Sequence, residues 1–329
     1  MARLVDQLIG NHQVGQRLLR LSEEERLPHA ILLSGETGLG KTQWAWAIIQ
    51  YLSCEARTPQ GACGQCYSCR SIEHKNSPFV LSVGPQGDSI KLEQAQEIHH
   101  FFEQQRIHRI RAVIIDQAHK LLPTTANKLL KLLEEPPESS YFFLVSPYPW
   151  QLLPTIKSRV SEWRFQRVSD DTLRSHFPEA KASHIKAARG RPGVLKTLLA
   201  WQNREKDPRQ IVWGWLKNKA QQQLQGTEGI RKDLDEESQL TDGLVFWGYH
   251  LIRDLNLARA GLWEQVISND LVNAHSLLPF SSLDLSLWAE HWSKLEQKWL
   301  QSRDKELALQ EFILTGNHPQ KKSDTPEER

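Results

Sequence analysis

Residues 35–42 read Gly-Glu-Thr-Gly-Leu-Gly-Lys-Thr and satisfy every position of the phosphate-cradling pattern G-x-x-x-x-G-K-[ST]. Its glycines let backbone N–H groups point inward at a nucleotide's phosphates, Lys41 neutralises charge on the β and γ groups, and the Thr42 hydroxyl is suited to ligate Mg²⁺. Residues 30–33 (Ala-Ile-Leu-Leu) read as a short buried strand entering the loop, and residues 43–52 as a helix leaving it. This order implies an α/β domain, with Gly35, Gly38, Gly40, Lys41 and Thr42 as a site competent for ATP and Mg²⁺.

All four cysteines of the chain, Cys54, Cys63, Cys66 and Cys69, fall just beyond that helix in the spacing C-x8-C-x2-C-x2-C. Gly61 and Gly64 let the backbone turn among them. Four thiolates at a tight turn suit tetrahedral Zn²⁺, and a Cys₄ set leaves no open position for catalysis by the metal. The expectation is structural zinc.

Residues 111–116 (Arg-Ala-Val-Ile-Ile-Asp) read as a second buried strand ending in Asp116, which a phosphate-loop protein places beside the Mg²⁺ held by Thr42. Pro123 starts an amphipathic helix with Ala126, Leu129, Leu130 and Leu133 at helical spacing, and Pro136-Pro137 stops it. Glu134 and Glu135 sit at its C-terminal end, where the helix dipole disfavours negative charge by roughly 0.3–1 kcal/mol each. Something other than helix stability keeps them there. Residues 141–146 form a third buried strand, and Ser158-Arg159 follow a proline-marked turn. Arg159 as an ordinary surface residue, or paired with Glu162, is the plain alternative to a functional arginine.

After residue 165 strand signals stop. Gly190-Arg191-Pro192-Gly193 breaks between two short helices, and from Pro208 the chain is helical and rich in tryptophan: Trp213, Trp215, Trp247, Trp263, Trp288, Trp292 and Trp299. Their helical spacing marks them as packing residues rather than a base-stacking platform. Residues 226–229 read as a linker. The 329 residues carry a net charge of +2, which argues against nucleic-acid binding over the whole surface. Residues 157–196, with ten Lys/Arg against four Asp/Glu, read as a solvated charged face, with a DNA-facing patch as the alternative. Neither a signal peptide nor an apolar run of the ~20 residues needed to span a bilayer is visible, so a cytoplasmic protein is expected.

The phosphate loop, the four-cysteine insert, the strand ending in Asp116, the run Ala-Asn-Lys-Leu-Leu-Lys-Leu-Leu-Glu-Glu-Pro-Pro at 126–137 and the Ser158-Arg159 pair together resemble bacterial sliding-clamp loader subunits of the AAA+ class. The likeness is clear over residues 1 to about 200. It implies an AAA+ nucleotidase-like domain over 1–166 with a parallel sheet and a zinc insert at 54–69. A small helical lid over 167–206, an all-α collar over 207–317 through which five subunits associate, and a disordered tail over 318–329 complete the layout. The implied partners are the gamma/tau and delta subunits in a hetero-pentamer of the DNA polymerase III holoenzyme, the beta sliding clamp, and primed DNA through the complex, in the bacterial cytoplasm with no membrane contact. Motor members of the family carry a glutamate straight after the strand's aspartate and an arginine in the lid; here those positions hold Gln117 and Gly193. Arg159 matches the arginine that reaches the neighbouring subunit's ATP. The resemblance therefore implies a stator with weak or absent ATPase of its own, rather than the gamma/tau motor. A small-metabolite phosphate-loop kinase and a scaffold with a relic loop are the readings from other classes.

Overall fold

Five strands form one parallel sheet in the order β2 (Val80–Val83), β3 (Arg111–Ile115), β4 (Ser140–Ser146), β1 (Ala30–Ser34) and β5 (Ser161–Arg164). The computed structural model describes residues 3–104, 108–202, 207–220, 238–280, 285, 288–290 and 292–295. The expected linker at 226–229, Trp299 and the expected tail at 318–329 lie outside the described residues. The chain divides into two compact units, Met1–Glu179 with Arg189–Val194, and Ala180–Ala188 with Leu195–Arg329.

In the first unit the central strands are apolar on both faces because both are covered. Ile31 and Leu33 of β1, Ala112 and Ile114 of β3, and Phe143 and Val145 of β4 pack with α1 (His12–Glu23) and α2 (Lys41–Ser53). The alternate residues Ala30, Leu32, Val113, Ile115, Phe142 and Leu144 pack with α4 (Leu92–Glu103) and α5 (Pro123–Glu134). Two-sided burial explains why these strands read as unbroken apolar runs. This is a parallel α/β fold with a phosphate loop at the C-terminal end of β1. Sequence reasoning missed β2 and β5, both edge strands only partly buried, and β5 (Ser-Glu-Trp-Arg) is nearly all polar. It also missed α1 and α4. The insert forms α3 (Tyr67–Glu73), and Gln50 of α2, fully buried, ties it down by donating to Cys69 O at 3.2 Å while accepting from Leu4 N at 2.9 Å.

Beyond β5, α6 (Pro154–Lys157) having preceded it, α7 (Asp170–His176) starts with Ser169 accepting from Thr172 N. Residues 189–194 return to the sheet through Val168 N donating to Gly190 O at 2.9 Å and Gly193 N donating to Gly38 O at 2.8 Å.

The second unit is helical: α8 (Ala182–Ala188), most of α9 (Pro192–Gln202), α10 (Pro208–Ala220) and α11 (Ser238–Arg259). Trp213, Trp247, Trp288 and Trp292 are buried, as packing residues should be, and Trp292 Nε1 donates to Val245 O at 2.9 Å; Trp263 is exposed. Buried Arg209 binds Asp270 and lies 5.0 Å from the Trp247 ring centre. Among the described residues no helix is long and apolar enough to cross a membrane.

The helix that carries the phosphate-loop lysine is seated by a close approach. The Trp44 ring of α2 lies where a side chain on Gly15 of α1 would stand, with a Cβ there only 1.9 Å from the ring. Gly15→Ala gains up to about 1 kcal/mol of helix propensity but overpacks a fully buried ring, costing about 1–3 kcal/mol. Denaturant unfolding should therefore show a net loss of stability; an unchanged or raised midpoint would remove this packing argument.

Candidate functional site

The loop at 35–42 leaves the C-terminal end of β1 and turns straight into α2. Gly35 adopts φ +124° with its α-carbon against the Phe165 carbonyl, where a Cβ would come within 2.5 Å of the oxygen, so no other residue fits. Gly38 and Gly40 also have positive φ, and Gly40 caps α2. Lys41 is buried, with Nζ donating to Gly35 O at 2.5 Å and Glu36 O at 2.6 Å. Burial brings its pKa down to about 8, against the attraction of Asp116 and Glu36.

Asp116 stands one residue past β3, and the Thr42 hydroxyl donates to its Oδ1 at 3.4 Å. Gln117 N donates to the same oxygen at 3.0 Å from a left-handed backbone, φ 51°. The fold thus brings Lys41, Thr42 and Asp116 together, as the sequence expectation has it. Gly193 lies over the loop: a Cβ there would sit 3.0 Å from both the Gly38 α-carbon and carbonyl oxygen. A side chain at this position would need the loop backbone to give by a few tenths of an ångström.

Two groups at the site escaped the sequence reading. Glu36 in the loop is gripped by Arg167, whose Nε and Nη2 reach its two oxygens at 2.9 Å each, and the Arg167 hydrogen bond holds its carboxyl below the usual range, with Arg191 and Arg189 adding to the effect. The excess positive charge of residues 157–196 is in part turned inward at the loop rather than being only a solvated face. Ser146, at the end of β4, shares a hydrogen bond with His119 Nδ1 at 3.2 Å, and burial lowers the pKa of His119. The signal for His119 was its place three residues after Asp116, in the short turn that follows β3.

Arg159 lies apart from the loop's lysine, just past α6. Its Nε donates to Glu134 Oε1 at 2.6 Å, Nη2 binds the same oxygen, and Nη1 donates to Thr155 O at 2.9 Å and Ser158 Oγ at 3.0 Å. Its partner is Glu134 of α5 and not Glu162, because α5 and α6 pack on the same face of the sheet while Glu162 is exposed on edge strand β5.

The four cysteines converge, with all Sγ atoms within 4.8 Å of one another. Zn–S bonds of about 2.3 Å in a tetrahedron require Sγ atoms roughly 3.8 Å apart, and the Cys63–Cys69 pair stands at 3.9 Å. Backbone N–H groups of Gln65 and Cys66 donate to Cys63 Sγ at 3.4 Å each and bring its pKa down to about 6, whereas burial pushes Cys54 and Cys69 up. Donors aimed at sulfur are what a thiolate shell needs. This cluster could hold a metal, and its donor set and size fit Zn²⁺.

The profile of the family described as DNA polymerase III, delta subunit, matches residues 10–169. The chain is 34% identical over 160 residues to the DNA polymerase III subunit delta' of Yersinia pestis, covering 48% of this chain and 44% of that one. It is 29% identical over 171 residues to the subunit tau/gamma of Haemophilus influenzae, covering 52% of this chain and 25% of that one. The match thus spans less than half the length of either relative. A solved gamma subunit-related protein of DNA polymerase III from Thermotoga maritima superposes with a TM-score of 0.48 at 17% identity over 92% of this chain and 97% of its own.

Two outcomes follow from the geometry. Phosphate favours the charged lysine, so above pH 8 ATP must bind with uptake of a proton at Lys41. Affinity of the isolated chain should fall with rising pH, by up to about tenfold per unit above pH 8, and calorimetry in buffers of different ionisation enthalpy should register the proton; affinity flat to pH 9.5 would contradict it. For the cysteines, reduced protein purified without chelator should contain about one zinc per chain. Cys66→Ser should lower that content and expose the insert to protease while leaving the loop at Lys41 intact. Substoichiometric zinc would exclude the closed site.

Proposed function

We propose that this chain, whose residues 10–169 match the DNA polymerase III delta-subunit family, is the delta-prime-type stator of a bacterial clamp loader. In this reading it helps motor subunits place the sliding clamp on primed DNA. Its associates are gamma/tau and delta subunits in a hetero-pentamer, the clamp, and DNA through the complex, in the bacterial cytoplasm. Residues 167–206 serve as lid and 207–317 as collar.

The observation that carries this reading is the contrast between the chain's two candidate catalytic groups. Its own site keeps Lys41, Thr42 and Asp116 for phosphate and Mg²⁺, so it is competent to bind ATP. The residue after Asp116 is Gln117, and an amide cannot take a proton from the attacking water. Gly193, pressed against Gly38, offers no charge to a γ-phosphate. Arg159, by contrast, is held in a defined conformation with 31% of its side chain exposed. A planar guanidinium suits the spreading charge of a transferring phosphoryl group, and this one is available to a nucleotide held by a neighbour. Zinc in the four-cysteine site would be structural, fixing α3 to the end of α2 with no open coordination position.

The test uses the isolated chain and the reconstituted complex. Alone, the chain should turn ATP over near background. In the complex, Arg159→Ala should leave assembly intact, lower clamp- and DNA-stimulated ATPase only in part, because a ring with several ATP sites loses one interface, and impair clamp loading. An arginine finger is worth about 10³–10⁵ in rate at its own site. Full loading by a correctly assembled Arg159→Ala complex would refute the trans role; robust turnover by the isolated chain, abolished by Lys41→Ala, would favour the motor or kinase readings.

A further inference from the structure

Glu134 occupies a position that its own helix disfavours. It is the last residue of α5, where the unsatisfied carbonyls put negative potential, and it is half-exposed, so no burial keeps it in place. An ionised carboxylate has no proton to donate to the free carbonyls of the helix end, so hydrogen bonding to its own helix terminus does not account for Glu134 there. What it binds is Arg159. Nε and Nη2 both close on Oε1, while Nη1 is taken up by Thr155 O and Ser158 Oγ, and Ser158 Oγ itself donates to Thr155 O at 3.1 Å. Of the five N–H groups of the guanidinium, four thus have partners within the chain among the described residues, leaving one Nη2 N–H directed away from Glu134.

An arginine on an exposed turn ordinarily samples many rotamers, and freezing them costs binding energy at the moment of use. Contacts from both sides remove most of that freedom beforehand. The contact is made by packing rather than by sequence proximity, since 25 residues separate the pair and α5 and α6 meet on one face of the sheet. Ser158 and Thr155 supply neutral contacts on one side; among the described residues Glu134 supplies the only charged one.

We propose that Glu134 is a positioning residue: it holds the Arg159 guanidinium at the surface in the conformation that engages the nucleotide of the adjacent subunit. The inference rests on the trans role of Arg159 and goes further by assigning a second residue, on another element, to the same act. Because preorganisation matters in the transition state rather than in nucleotide binding, removing the brace lowers turnover without weakening ATP affinity.

The experiment uses assembled complexes in which only the motor subunit beside Arg159 keeps a working phosphate loop, so that one interface is read. Wild type, Glu134→Gln, Arg159→Ala and the double variant are compared for kcat and KM of ATP turnover with clamp and primed DNA. Glu134→Gln, near-isosteric at a half-exposed site, should reduce kcat by about tenfold with KM for ATP unchanged, since a misplacement near 1 Å can cost up to about 10²-fold. Arg159→Ala should cost more, and adding Glu134→Gln to it should change nothing further. A merely structural role would instead appear as a lower thermal midpoint or poorer assembly, with the same loss in both arginine backgrounds, and would overturn the proposal. Unchanged turnover in Glu134→Gln, or faster turnover showing that Glu134 competes with phosphate for the guanidinium, overturns it as well while leaving the trans role standing. Wild-type turnover in Arg159→Ala defeats the trans role itself.

Discussion

The parallel register of β1 between β4 and β5 is the constraint from which the site follows. Ser34 lies opposite Ser146 on one side and Arg164 on the other, and Ile115 of β3 lies opposite Leu144. Parallel strands end together on one edge of the sheet, so the loop after Ser34, Asp116 after Ile115, and Ser146 all emerge at the same place. Bringing Thr42 to Asp116 across 74 residues of chain needs no special contact beyond that register. The register in turn is held by two apolar faces buried under α1 and α2 on one side and α4 and α5 on the other. A one-residue slip would turn Ile31 and Leu33 toward the wrong layer.

Within that frame the phosphate loop satisfies its own buried lysine. A buried ammonium with no partner would be costly, and Lys41 meets the need by donating to the carbonyls of Gly35 and Glu36. A phosphate placed at this loop would compete with those carbonyls for the same ammonium. Around the loop, Arg167 on Glu36 and the backbone bond from Gly193 to Gly38 bind the segments at 165–168 and 189–194 to the same few residues.

The Glu134 carboxylate shows how a locally unfavourable choice is explained one level up. Against its own helix dipole it is out of place; against Arg159 it is the counter-charge. The four cysteines follow the same logic, since burial pushes the thiols of Cys54 and Cys69 toward the neutral form while N–H donors around Cys63 favour the thiolate. A metal that binds all four as thiolates reconciles the two tendencies.

The phosphate loop, the apolar central strands, the Asp116 strand end and the cysteine cluster could be read in the sequence because each is local: glycine φ preferences, a run of apolar residues buried on both faces, or four cysteines within sixteen positions. Edge strands β2 and β5 could not, because half-exposed strands carry no unbroken apolar run, and Ser-Glu-Trp-Arg is indistinguishable from loop until a neighbour supplies its hydrogen bonds. Nor could the pairing of Arg159 with Glu134 rather than Glu162, or of Glu36 with Arg167, for these contacts join residues 25 and 131 positions apart. The sequence by itself determined which groups can do chemistry. Only the tertiary structure decided which of them meet, because charge pairing is chosen by how helices and strand ends pack on a common sheet, and nothing in the local spacing encodes that packing.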